Sequence, residues 1–92
     1  MRFKFDKHKS ESLRRNRARG IGFEEARKLW ECPYYLDQRS DLPEQWRVIG
    51  WVLGKLYTVI FEEREDKDGE YLHLVTLWKS TKEERELYED HS

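Results

Sequence analysis

Apolar and polar side chains alternate over Arg2-Phe3-Lys4-Phe5, the pattern of a short half-buried strand. Asp6 follows as a helix N-cap. Residues 7–19 are strongly basic, with Leu13 and Ala18 the only apolar side chains, and read as a helix ended by Gly20 in the left-handed conformation. Phe23, Ala26 and Trp30 recur at spacings of three and four, making one apolar face of a second helix over 23–31. Glu24 and Glu25 complement its dipole, and Pro33 stops it. Tyr34-Tyr35-Leu36 reads as a short strand or an extended link, and 37–43 as a polar loop. Strands are expected over 45–52, 55–62 and 71–79. A tight turn at Leu53-Gly54 and a charged loop over 63–70, centred on Lys67-Asp68-Gly69, separate them. A last helix starts at Ser80 or Thr81, since Ser80-x-x-Glu83 and Thr81-x-x-Glu84 both fit a capping box.

The predicted order is β-α-α-β-β-β-α, an α+β fold in which helices cover one face of an antiparallel sheet. Alternation puts Trp46, Val48 and Val52 on one face, with Arg47, Ile49 and Trp51 on the other. Tyr57, Val59 and Phe61 likewise oppose Leu56, Thr58 and Ile60. In the last strand, Tyr71, His73, Val75, Leu77 and Lys79 point one way, and Leu72, Leu74, Thr76 and Trp78 the other. Trp30, Trp46 and Trp51 are expected in the core.

Composition changes this picture in one respect. The chain of 92 residues is 40% charged, yet its 4 Trp, 5 Tyr and 4 Phe belong to a folded chain rather than a disordered one. One domain over 1–92 is expected. Residues 1–28 hold 10 Lys/Arg and 4 Asp/Glu, a net of +6, whereas 29–92 hold 8 and 15, a net of -7. The basic third suits an anionic partner such as RNA, DNA or an acidic protein; the alternative is that these charges only solvate an exposed helix. Cys32 is the only cysteine, so no intrachain disulfide forms. No apolar run has the length of a membrane span, and no signal-peptide pattern occurs, so a cytoplasmic protein is expected.

The candidate chemistry is cationic. Arg47, Arg64 and Lys79 come from three strand regions, and their convergence would make a phosphate site of planar guanidinium donors and one ammonium. The competing arrangement pairs each with a nearby carboxylate on the surface, worth about 0–1 kcal/mol. Trp78 is a candidate for stacking on a nucleobase. Glu44 and Glu63 are candidate general bases. The three histidines and Cys32 lack metal-ligand spacing, and no Gly-rich phosphate loop occurs, so neither a metal nor another cofactor is expected.

Five segments in order resemble the BrnT toxins of BrnT/BrnA type II toxin–antitoxin modules. These are Phe5-Asp6-x-x-Lys9; Arg19-Gly20-Ile21-Gly22-Phe23-Glu24-Glu25-Ala26; Glu44-x-x-Arg47-x-x-Gly50; Phe61-Glu62-Glu63-Arg64; and Thr76-Leu77-Trp78-Lys79-Ser80 with Glu83-Glu84-Arg85 and Tyr88. The resemblance implies a RelE-like fold and a ribonuclease that cuts RNA without a metal. It also implies a ribbon-helix-helix antitoxin partner, operator DNA bound through the toxin–antitoxin complex, and a heterotetramer as one form of that complex. Arg47, Arg64, Lys79, Glu44 and Glu63 would then be catalytic, and Trp78 and Arg19 would handle RNA. Two departures stand out: Arg19 replaces the family's usual His, and Trp78 replaces its usual Arg. Loss of an imidazole at position 19 removes the side chain best suited to move protons near neutral pH. The alternative is therefore a weak or inactive relative that binds a protein or nucleic acid without cutting.

Overall fold

The computed structural model describes residues 1–91. Its elements are β1 (Phe3–Lys4), α1 (Lys7–Arg15), α2 (Phe23–Ala26) continuing as a 3-10 helix (Arg27–Glu31), β2 (Tyr35–Asp41), β3 (Glu44–Val52), β4 (Lys55–Asp66), β5 (Gly69–Lys79) and α3 (Lys82–Asp90). The five strands form one sheet in the order β1-β5-β4-β3-β2. β2 to β5 are antiparallel neighbours, but β1 runs parallel to β5, so the sheet is mixed rather than purely antiparallel.

The α+β architecture agrees with the sequence pattern, and several of its details differ. First, residues 37–43 are not a loop. They belong mostly to β2, an edge strand whose charged side chains reflect solvent on one side. Asp37 faces Arg47 directly across the ladder and bonds it, a cross-strand pair that compensates for the missing apolar residue. Second, the loop over 63–70 shrinks to the Lys67-Asp68 turn, because β4 and β5 stay paired out to Asp66 and Gly69. Third, α1 stops at Arg15, with Asn16 as its C-cap. The Asn16 side chain accepts from Ala18 N, a local bond that competes with further helix. Gly20 does take φ +77°, but at the end of the turn that follows.

Fourth, the helices do not all lie on one face. α1 and α2 cover an inner face where Leu13, Ile21, Phe23, Ala26 and Leu29 meet Val48, Val52, Tyr57, Val59, Leu74 and Leu77. α3 lies against the outer face: its Glu84 bonds Trp78, and its Tyr88 ring meets Trp51 edge-on. The side assigned to each residue of β5 changes as well. Ile60 pairs with Thr76 while Phe61 pairs with Leu74, so Val75 is an extra residue that shifts the alternation. Leu72, Leu74, Leu77 and Lys79 therefore share the inner face, and Tyr71, His73, Thr76 and Trp78 the outer one. Trp51, expected in the core, is 41% exposed, whereas Trp46 and Trp30 pack against the core as half-buried side chains.

The caps follow from their sequences. Asp6 accepts from Lys9 N at 3.0 Å. Of the two capping boxes, Thr81 and Glu84 form the real one, bonding each other's backbone at 3.2 and 2.8 Å. Gly22 opens α2 where a Cβ would lie 2.5 Å from Ser10 Oγ, so only glycine lets the two helices approach this closely.

Candidate functional site

The outer face is covered by α3 at one end and open at the other. Under α3, the Tyr35 hydroxyl donates to Asp37 at 2.9 Å, and Asp37 takes both Nε and Nη2 of Arg47. Arg47 Nη1 lies 3.9 Å from Glu84 Oε2, and the Trp78 indole N–H donates to Glu84 at 2.9 Å. The Arg39 guanidinium covers the Trp78 ring at 5.5 Å. Burial pushes the Asp37 carboxyl up, but the Arg47 and Tyr35 bonds outweigh it and hold the group below its ordinary range. The bond to Asp37 raises Arg47 in turn. Arg47 and Trp78 are thus engaged by the protein's own groups.

At the open end, Glu62 and His73 face each other across β4 and β5, as do Arg64 and Tyr71. Glu62 is held from both sides. Gln45 donates to its Oε2 at 2.8 Å, and Arg64 donates Nε and Nη2 to its Oε1 at 3.0 and 2.6 Å. Those bonds, Gln45 first, keep the carboxyl below its ordinary range. His73 is half-buried and makes no hydrogen bond among the described residues. Burial, with the nearby Arg64 charge, lowers its pKa from 6.5, so the imidazole is neutral at pH 7. Lys4 Nζ lies 4.4 Å above the Tyr71 ring and bridges it to Asp66. A neutral imidazole, a guanidinium, a phenol and a fixed carboxylate thus share one exposed patch, the set from which proton transfer and charge stabilisation are built.

The three cations named from sequence do not converge. Arg47 and Arg64 share the outer face but stand four residues apart along the ladder, about 13 Å. Lys79 is at the other end of β5 and on the inner face. There it lies directly across from Tyr57, whose hydroxyl donates to the Arg19 carbonyl, and Arg19 Nε donates to the Leu77 carbonyl at 2.8 Å. Arg19 and Lys79 are therefore neighbours at one inner-face corner, and Lys55 stands on the same strand face two residues before Tyr57. No carboxylate pairs with these three among the described residues. Burial raises the Tyr57 phenol. Glu44 is exposed at the β2–β3 turn opposite Asp41, and Glu63 is exposed on the inner face opposite Leu72.

His73 and Tyr71 are the site residues that the sequence reading passed over. His73 had only its place two residues after Tyr71 as a signal, and the unread extra residue at Val75 hid its relation to the rest of the face. Among the described residues, no three His, Cys, Asp or Glu side chains gather as ligands for a metal ion. No helix among the described residues is long and apolar enough to cross a membrane. No model of a known protein family matches this chain, and no curated protein matches it.

Proposed function

We propose that this protein is a BrnT-like toxin that cuts RNA at the Arg64–His73 patch. The observation that carries the chemistry is the hydrogen-bond-free imidazole of His73, directly across from Glu62 and beside the Arg64–Glu62 pair. The toxin role itself rests on the five-segment resemblance. In this reading His73 takes the proton from a ribose 2′-hydroxyl, whose oxygen attacks the adjacent phosphorus. Arg64 stabilises the charge that develops on the phosphoryl oxygens. Tyr71, directly opposite Arg64, hands its proton to the departing 5′-oxygen. The products are a 2′,3′-cyclic phosphate and a 5′-hydroxyl, and the need for the 2′-hydroxyl excludes DNA as substrate. The Arg19–Lys55–Lys79 corner contributes by holding RNA backbone away from the reacting bond. A ribbon-helix-helix antitoxin neutralises the toxin and carries the complex to operator DNA.

The test is cleavage of a labelled single-stranded RNA, with the same sequence as DNA for control. His73→Ala and Arg64→Ala should each lower the rate at least about 100-fold, the range of one acid–base or charge-stabilising group, with the circular dichroism spectrum unchanged. Undiminished cleavage by the double variant sinks the assignment. A second reading is favoured by the engagement of Arg47 with Asp37 and Glu84. In it the protein binds RNA or an antitoxin and cuts nothing, so the wild-type chain retains RNA on a filter and leaves it whole.

A further inference from the structure

α1 and α2 leave part of the inner face uncovered. Beyond them lies a groove of about 210 Å³ walled by Trp30, Tyr34, Leu36, Trp46, Phe61 and Leu72. Tyr34 and Leu36 are 45% and 46% exposed, an unusual state for two large apolar side chains that adjoin a groove. The Trp46 indole N–H is buried with no acceptor among the described residues, and such a group costs stability until something accepts from it. Glu63 stands in the groove wall, and Glu31, Glu65 and Glu70 line the hollows that adjoin it. None of these four carboxylates has an ion-pair or hydrogen-bond partner among the described residues. Two side-chain cations, Arg27 and Lys28, lie on the Trp30 side, Met1 with its amino group lines the groove and both hollows, and Arg64 nearby is already matched by Glu62.

We infer that this groove takes an extended segment of a partner protein, with a large apolar side chain set between lysines or arginines. The apolar side chain fills the space between Trp30 and Trp46. The flanking cations meet the four unpaired carboxylates. An extended segment fits because Leu36 belongs to β2, the edge of the sheet, beside which no further strand lies among the described residues. The acidic rim disfavours a nucleic-acid strand here. The groove itself lies on the opposite face from His73, although the hollow that Glu65 and Glu70 line also reaches Arg64 and Tyr71 at the strand ends; the inference does not rest on RNA cleavage.

The experiment follows the four indole N–H resonances of the ¹⁵N-labelled full chain during titration with the peptide Lys-Lys-Leu-Phe-Arg-Lys. A charge-reversed peptide, Glu-Glu-Leu-Phe-Asp-Glu, and a Gly-Ser replacement of Leu-Phe serve as comparisons. The cationic peptide should move Trp46 and leave Trp51 and Trp78 in place. Glu31→Lys with Glu63→Lys should weaken it at least about tenfold, as close charge pairs at interfaces do, and should make the acidic peptide the better ligand. Leu36→Asp, exposed and so harmless to folding, should weaken both. The inference is overturned if Trp46 does not move at millimolar peptide or if the acidic or Gly-Ser peptide binds as well. It is overturned equally if Trp46 shifts with protein concentration alone, which would seat a second copy there, or if a short RNA displaces the peptide.

Discussion

Single side chains decide much of this molecule. Ser10 is fully buried in α1, where its hydroxyl accepts from Phe23 N at 2.8 Å and donates to Glu24. Ser10→Ala leaves that amide without an acceptor in the core and should cost about 1–3 kcal/mol in urea unfolding. His73 sets a pH dependence of a definite sign. Its folded pKa lies below the unfolded 6.5, so the unfolded chain binds the proton more readily. Its contribution to stability is complete above pH 6.5 and is lost as pH falls toward the folded value. Unfolding midpoints measured between pH 7.5 and 5.5 should decline, and His73→Gln should flatten the decline. Neither residue's role was legible from spacing. Ser10 looks like one more polar position in a polar helix, and only the nearness of Gly22 brings the α2 amide onto its hydroxyl. Arg47 was legible as a strand-borne cation, but its neutralisation depends on Asp37, which the polar pattern had assigned to a loop.

At the scale of elements, the β3–β4 turn and two helix N-caps are written locally and are legible in the sequence. Asp6, the Thr81–Glu84 box and the Leu53-Gly54 turn depend only on neighbours in the chain. That turn has φ of 49° at Leu53 and 81° at Gly54, the arrangement in which Asn-Gly is preferred. Leu53 is exposed and makes no use of its side chain, so Leu53→Asn should stabilise by up to about 1 kcal/mol, the left-handed penalty relieved. A thermal melt measures it, and an unchanged or lower midpoint would refute it. The irregular step in β5 was not legible, because Leu72-His73-Leu74-Val75-Thr76-Leu77 alternates acceptably in either register. Only the pairing with β4, where the core claims both Leu74 and Leu77, decides which faces result. The whole relation of His73 and Trp78 to the outer face follows from that one residue.

Across the whole molecule, charge is arranged as matched pairs more than as one basic surface. Arg14 bonds Glu11, Glu24 and Glu25 at once, and Arg2 and Lys4 hold Asp66. Glu24, Glu25, Asp37, Glu62 and Asp66 all lie below their ordinary values of 4.5 or 3.8. Their stabilisation is complete above about pH 4.5 and is lost as pH falls through the lower folded values. Denaturant midpoints should therefore drop steeply below pH 4, and 1 M salt should reduce the difference between pH 6 and pH 3. The +6 excess in residues 1–28 was legible, but not its partial cancellation by Arg14's three partners.

The placement of β1 also says something about how the chain folds. Phe3 and Lys4 pair with Leu72 and His73, so the partners stand 69 positions apart (3 to 72 and 4 to 73) in a chain of 92 residues. A contact of such long sequence separation pays its loop entropy late, after the β3–β4–β5 meander has formed. Phe3→Ala should then speed unfolding while leaving the refolding rate almost unchanged. The first residues would join last and leave first, and stopped-flow chevrons of wild type and variant would reveal it.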